Sequence, residues 1–452
     1  MRFSATLIAL PLLLCLPGLA PADGPDAASP TASASTSPTA ASAAASPTAQ
    51  APGVTLDDCY QAALKRSQTQ AISFESITQA EEHYKQATGS VLPNVSLIGQ
   101  LYTQSSGVAN IVPAAQNQYR INATQPLFQG MREYAALRET KDLLASSKQA
   151  YRWAAWQLYA DTSAAFNQVL AAEKDLSDLK SELGLYGDRI SFLQGWLNIG
   201  RAQDTDVLSV QSAQAQIKAQ LEAAKYLVAA SREVLTFLTG MPVDQPLADV
   251  ETLPAEVEPM DRYTDGLDQR PDLLAAAANV LAAKEGVTIE SGQHLPQVSV
   301  GADYYPYRYA PDTDINWDAY LNVTMPIFMG GIINSQTRAA ESAQRQAEEQ
   351  MEQTRRMDLE NLRSAYVKLH YDLSQEQALV DAADLAGKNY KAETRNFERG
   401  LVTNLDVLQA MVTFVTTLQA ADATHYAALG DYQSLQAQTG RAPGLPDSSD
   451  AK

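Results

Sequence analysis

The chain is written twice, and any fold proposed for it has to accommodate two similar halves. Residues 121–130 read INATQPLFQG and residues 321–330 read LNVTMPIFMG. They agree at Asn122/Asn322, Thr124/Thr324, Pro126/Pro326, Phe128/Phe328 and Gly130/Gly330. NIGRAQDTDVL at 198–208 is echoed by ERGLVTNLDVL at 398–408, which share Gly200/Gly400 and the runs Asp206-Val207-Leu208 and Asp406-Val407-Leu408. Thr239-Gly240 returns as Thr439-Gly440. All three pairs are 200 residues apart, and Leu92-Pro93 returns as Leu295-Pro296 after 203. Four matches in one order identify two copies of a single unit, 54–240 and 271–440, joined by a linker over 241–270.

Both copies share a layout. A helix of moderate length (55–89, then 271–291) precedes two extended segments around a polar turn. A very long helix, a short glycine-bearing break and a second long helix follow. The extended segments alternate. Val298, Val300, Ala302 and Tyr304 fall on one face, opposite Ser299, Gly301 and Asp303. Trp317, Ala319, Leu321, Val323 and Met325 oppose Asp318, Tyr320, Asn322 and Thr324. In the first copy Val95, Leu97 and Leu101 oppose Ser96, Gln100 and Gln104, with Ile98 and Tyr102 breaking the pattern. Strands with one apolar and one polar face, and aromatics (Tyr304, Tyr305, Tyr307, Tyr309, Trp317) near the hairpin, fit a membrane β-barrel wall. They also fit a soluble antiparallel sheet packed on one side. Pro126 and Pro326 are expected to end the ladder where strand becomes helix, with Gly130 and Gly330 relieving the turn.

The helices carry a narrow seam. Leu176, Leu179, Leu183, Tyr186, Ile190, Leu193 and Leu197 step by three and four. So do Leu359, Leu362, Tyr366, Leu369 and Leu373, continuing through Val380, Ala383, Tyr390, Phe397 and Leu401. The return helix offers Val207, Val210, Ile217, Leu221, Ala224, Val228, Leu235 and Leu238. This is coiled-coil spacing. A helix over 133–197 is on the order of 100 Å long at about 1.5 Å per residue.

The ends differ from the repeats. Arg2, the apolar run Ala5–Leu16 and the small-residue site Ala20-Pro21-Ala22 read as an export signal over 1–22. Cys15 follows Leu14, which is bulkier than a lipidation site takes. Residues 23–53 are almost wholly Ala, Ser, Thr and Pro, a composition expected to form a disordered tether. Residues 441–452 read as a disordered tail. After the signal, no apolar run reaches the roughly 18 residues of a membrane helix, so a span has to be made of strands.

Function is narrowed by charge. The formal charge is −19, which excludes a phosphate-binding surface and hence nucleic acid as a partner. His83, His294, His370 and His425 are scattered without metal-ligand spacing, and no phosphate loop or nucleophile elbow is present. No enzyme, metal site or cofactor is expected. Four strands cannot close a barrel, since membrane barrels have about eight or more, and open edges cannot face lipid. If these strands lie in a membrane, several chains therefore have to share one barrel. The other reading is a periplasmic coiled-coil adaptor or scaffold without membrane strands.

The duplicated layout, the P-[LI]-F-x-G junctions, the Leu-Pro strand starts and the Gly…Asp-Val-Leu turns together resemble the TolC-type outer membrane factor family over 54–440. The resemblance implies a mainly α fold, with an α-barrel of coiled-coil helices and four β-strands per chain in a shared 12-stranded barrel. It implies a homotrimer in the outer membrane that extends into the periplasm and meets a periplasmic adaptor and an inner-membrane pump. The channel would be a passive exit duct for efflux or type I secretion. It places the adaptor-docking tip at Gly200, Gly400, Leu401 and Val402, and a carboxylate pore gate at Asp206 and Asp406. Gly200-Arg201-Ala202 departs from the Gly-Leu-x pattern that Gly400-Leu401-Val402 keeps. Gln409 stands where the family often has a second acid. From the residues alone, both aspartates also suit helix capping, and both glycines suit the turns themselves.

Overall fold

Each half of the chain folds in the same order. In the computed structural model, residues 53–103, 115–308 and 315–442 are described. The expected export signal, all of the tether but Gly53, the hairpin turns with Gln104 and Tyr309, and the tail past Ala442 lie outside the described residues. The first half comprises α1 (Leu56–Arg66), α2 (Gln68–Ser90), β1 (Asn94–Thr103), β2 (Ala115–Gln129), α3 (Arg132–Asn198) and α4 (Asp204–Thr239). After the linker helix α5 (Asp261–Thr264), the second half comprises α6 (Pro271–Ser291), β3 (Gln297–Arg308), β4 (Trp317–Thr324), α7 (Ile332–Glu398) and α8 (Asn404–Thr439). α3 and α7 each have 67 residues, and α4 and α8 each have 36.

The single helix expected over 55–89 is two. Ser67 takes an extended conformation (φ −61°, ψ 117°) and caps α2, its Oγ accepting from the Gln70 amide at 3.3 Å. A serine hydroxyl competes with helix hydrogen bonds in this way, and apolar spacing does not register it.

The coiled-coil seam is real. Leu179, Tyr186 and Leu193 are buried with Val207, Val210, Ile217 and Ala224, and Leu176, Leu183, Ile190 and Leu197 pack against them. Along the seam expected on α7, Leu362, Leu369, Ala383 and Phe397 are buried but Val380 is exposed. α3 packs along α2, α4, α6 and α8, whereas α7 packs along α6 and α8. Three arginines hold the linker down. Arg232 bonds Glu173 and the carbonyls of Val243 and Gln245. Arg270 pairs with Asp272 and Asp358 at 2.7 and 3.0 Å and lies over Trp153. Arg441 bonds Glu258 and the Arg262 carbonyl.

The four strands form one antiparallel sheet in the order β1-β2-β3-β4. Its apolar face is bare. Val95, Leu97, Leu101, Tyr304, Trp317, Leu321 and Val323 are all exposed, Leu97 at 72%. The opposite face holds the polar contacts. Asp303 is only 5% exposed and accepts from Asn122 at 2.8 Å, with Arg120 at 3.8 Å. Tyr305 donates to Asp318 at 3.0 Å. A soluble sheet buries its apolar face, and this sheet leaves it exposed. Among the described residues no helix is long and apolar enough to cross a membrane.

The two prolines behave differently. β4 ends at Thr324, before Pro326, but β2 continues through Pro126 to Gln129. β1 runs out at the Asn94–Thr124 pair, while β3 still offers Ser299, Val298 and Gln297, with an irregularity between Pro126 and Phe128. Proline is tolerated where one edge of a strand is unpaired and the ladder is locally bulged.

Candidate functional site

At one end of the long helices lie two turns of identical construction. Gly200 and Gly400 have φ of +72° and +73°, the left-handed region that suits glycine. The Gly200 and Arg201 amides donate to the carbonyls of Leu197 and Trp196 at 3.0 and 2.8 Å. The Gly400 and Leu401 amides donate to Phe397 and Asn396 at 2.8 and 3.0 Å. Both are Schellman closures. Val402 and Ala202 turn inward against the seam, and Leu401 is exposed together with Ile199, Leu208 and Leu405.

Asp206 and Asp406 each occupy the third position of the helix that follows. Asp406 Oδ2 accepts from the Thr403 amide at 2.8 Å and from the Thr403 hydroxyl at 2.7 Å. These two donors hold its carboxyl below the ordinary aspartate value. Asp206 Oδ2 accepts from the Gln203 amide at 3.0 Å. Both carboxylates thus cap helices, with their negative charge at helix N-termini where the dipole favours it. Asp406 is exposed and remains open to ions.

Between the turns sits a polar lock that no sequence spacing marks. Arg189 of α3 is 5% exposed and donates through Nε and Nη2 to Asn404 Oδ1 at 3.1 and 2.8 Å. Its guanidinium lies 4.2 Å from the centre of the Phe397 ring, and Trp196 stacks on Phe397. Asn404 Nδ2 donates to the Asp206 carbonyl at 3.3 Å, so one side chain ties the start of α8 to α4 and to α3. Burial lowers the affinity of Arg189 for its proton. An arginine flanking a heptad seam is ordinarily solvated, and the packing of α8 and of the end of α7 against α3 encloses this one.

The junction residues are gathered at the far end of α3 and α7. Gly130 (φ +72°) is buried, and a Cβ there would stand 2.2 Å from the Gly292 carbonyl oxygen. Met131 shares the positive φ (65°), where the second copy has Gly331. Gly330 (φ +59°) faces open space, and Ile327 and Phe328 are 95% and 87% exposed. Pro126 and Phe128 are half-buried against β3.

The sequence profile described as "Outer membrane efflux protein" matches residues 59–241 and 263–441, the two halves and little else. The chain belongs to the outer membrane efflux protein family. This efflux protein is 24% identical to "Outer membrane protein TolC" of Escherichia coli (strain K12) over 360 residues, covering 75% of the chain and 73% of TolC. Its fold matches the outer membrane protein VceC from Vibrio cholerae with a TM-score of 0.76 at 17% identity, over 86% of this chain and 96% of that one. It matches the Campylobacter jejuni CmeC outer membrane channel at 0.75 and 16% identity, over 88% and 87%. As a member of this family, the efflux protein is an outer-membrane channel component and serves as an exit duct. The fold shared with these channels is mainly helical, with long paired helices and four strands per chain.

Proposed function

We propose that three copies of this chain close one pore: twelve strands in the outer membrane, continued through the periplasm as a tube of helices. It is a passive duct of a tripartite efflux pump or type I secretion system, and the energy comes from an inner-membrane pump. The observation that carries this reading is the sheet. Its apolar face is bare, its opposite face carries the paired polar groups around Asp303, and among the described residues the outer edges of β1 and β4 have no partner strand. Such a sheet suits lipid only if other chains complete it. The helix turns with Gly200, Gly400, Leu401 and Val402 form the end that meets a periplasmic adaptor. Asp206 and Asp406, repeated around a three-fold axis, form an acidic ring that attracts cations. The test is reconstitution. Protein purified from outer membranes should run as a three-chain particle in mild detergent and give stepwise conductance in planar bilayers. A monomer that leaves bilayers silent overturns the reading.

A further inference from the structure

Arg270 does more than hold the linker down. It stands just ahead of α6, is 4% exposed, and also donates to the Gln438 carbonyl of α8 at 3.3 Å. Two carboxylates share it, Asp272 and Asp358. Further along α7, Lys368 is shared in the same way. Its ammonium donates to both oxygens of Asp431 on α8 at 2.8 Å, and Asp372 lies against Asp431. Each group holds two carboxylates and one cation, so each carries one negative charge in excess. From Asp358 to Lys368 the helix advances about 15 Å at about 1.5 Å per residue.

Between these groups α3, α7 and α8 border a recess of about 380 Å³, lined by Asp358 and by Asp431. Trp153 and Ala365 give it an apolar wall, and Asn361 and Ser364 a polar one. Asp358 is 6% exposed. Its Oδ1 accepts from Arg270, whereas its Oδ2 is buried with no donor among the described residues. Gln438 also lines the recess, and its Oε1 is buried without a donor too. A buried acceptor without a donor is costly, and more so when it is charged. Burial pushes the Asp358 carboxyl up to about 6, with Asp272 adding to the rise and Arg270 opposing it. Burial and Asp431 push Asp372 up to about 6 as well, against the pull of Lys368. Among the described residues no three His, Cys, Asp or Glu are grouped to hold a metal ion. Two separated negative charges instead suit a ligand that is positive at both ends and apolar between. We propose that this recess binds a linear alkyl polyamine, with one terminal ammonium at Asp358 and the other at Asp431. An ammonium has three donors and no acceptor, which suits the open oxygen of Asp358. The methylene chain lies along Trp153 and Ala365, and an inner ammonium faces Asn361 and Ser364. The recess lies within one chain, so the inference stands apart from the shared pore.

Equilibrium dialysis of labelled spermidine against the full-length protein in mild detergent tests the proposal. One saturable site per chain is expected. Asp358→Asn and Asp431→Asn should each weaken binding by about tenfold or more, since each removes a charge-assisted contact. Ser364→Leu is the second arm. It leaves every charge in place and fills the recess at an exposed position on which folding does not depend, and it should weaken binding about as much. Glu341→Gln removes the same charge from an exposed stretch of α7 outside the recess, and should stay within about twofold of the parent. 1-Aminobutane, with a single ammonium, should bind at least about tenfold more weakly than spermidine. An ammonium and a proton compete for the same carboxylates, so affinity should fall by about tenfold or more between about pH 7.5 and about pH 5. Binding that does not saturate, that Glu341→Gln weakens as much as Asp358→Asn, that Ser364→Leu leaves intact, or that 1-aminobutane matches overturns the site and leaves the exit duct standing.

Discussion

Replacing Arg189 with methionine should loosen the helix turns without disturbing the rest of the molecule. Methionine keeps the length and apolar stem of the side chain, so the change removes two hydrogen bonds to Asn404 and the stacking on Phe397 while leaving little cavity. Hydrogen bonds to a charged group contribute about 1.5–3 kcal/mol, and a desolvated cation over an aromatic ring about 2. Against this, the buried charge no longer has to be desolvated. The loss does not fall to zero, because the Asn404 carbonyl is left buried without its donor, which costs about 1–3 kcal/mol. A net local loss of about 2–3 kcal/mol follows, or roughly 30- to 160-fold in the opening equilibrium at about 1.36 kcal/mol per decade. Hydrogen exchange in the intact protein reads it directly. The amides of Gly200, Arg201 and the first turn of α8 should exchange faster by that factor, and those in the middle of α3 should not change. Asn404→Ala should produce a similar change, and the double variant should be far from additive. Exchange within about threefold of the parent, or effects that simply add, would refute the lock.

Other expectations follow from the same structure. Asp406→Ala should weaken block of the reconstituted channel by multivalent cations and also fray the start of α8, because the Thr403 amide and hydroxyl lose their acceptor. Asp406→Asn should weaken block with less fraying, so equal block in both variants and parent would leave Asp406 a cap only. Because the folded carboxyl is held below its ordinary value of 3.8, its stabilisation is present above that pH and is lost as pH falls below it. Exchange at the start of α8 should therefore accelerate in acid, and in Asp406→Asn that acceleration should vanish. Gly130→Ala combines a positive φ with a Cβ 2.2 Å from a carbonyl oxygen, and should cost about 3 kcal/mol or more in thermal stability followed by circular dichroism. Cys59 should resist maleimide at pH 8 in the folded protein and label fully in denaturant.

The sequence by itself determined what is periodic or local: the two copies, the four strands and their faces, the heptad seams and the glycine turns. Those follow from residue types at fixed spacings and from the φ that each turn requires. Ser67 also lay within reach, since a hydroxyl cap is a local signal. The tertiary structure decided whatever depends on neighbours. Arg189 is enclosed because α8 and the end of α7 lie against α3, and nothing in its flanking residues differs from a solvated arginine. Pro126 stays within a strand because β3 extends beside it, whereas Pro326, in nearly the same local sequence, follows a strand that has already stopped. Which face of the sheet is left bare also emerged only from packing, since alternation states that two faces differ and not which one the molecule fills. The physical reason is the same each time: spacing defines a surface, and burial depends on what the rest of the chain lays upon it.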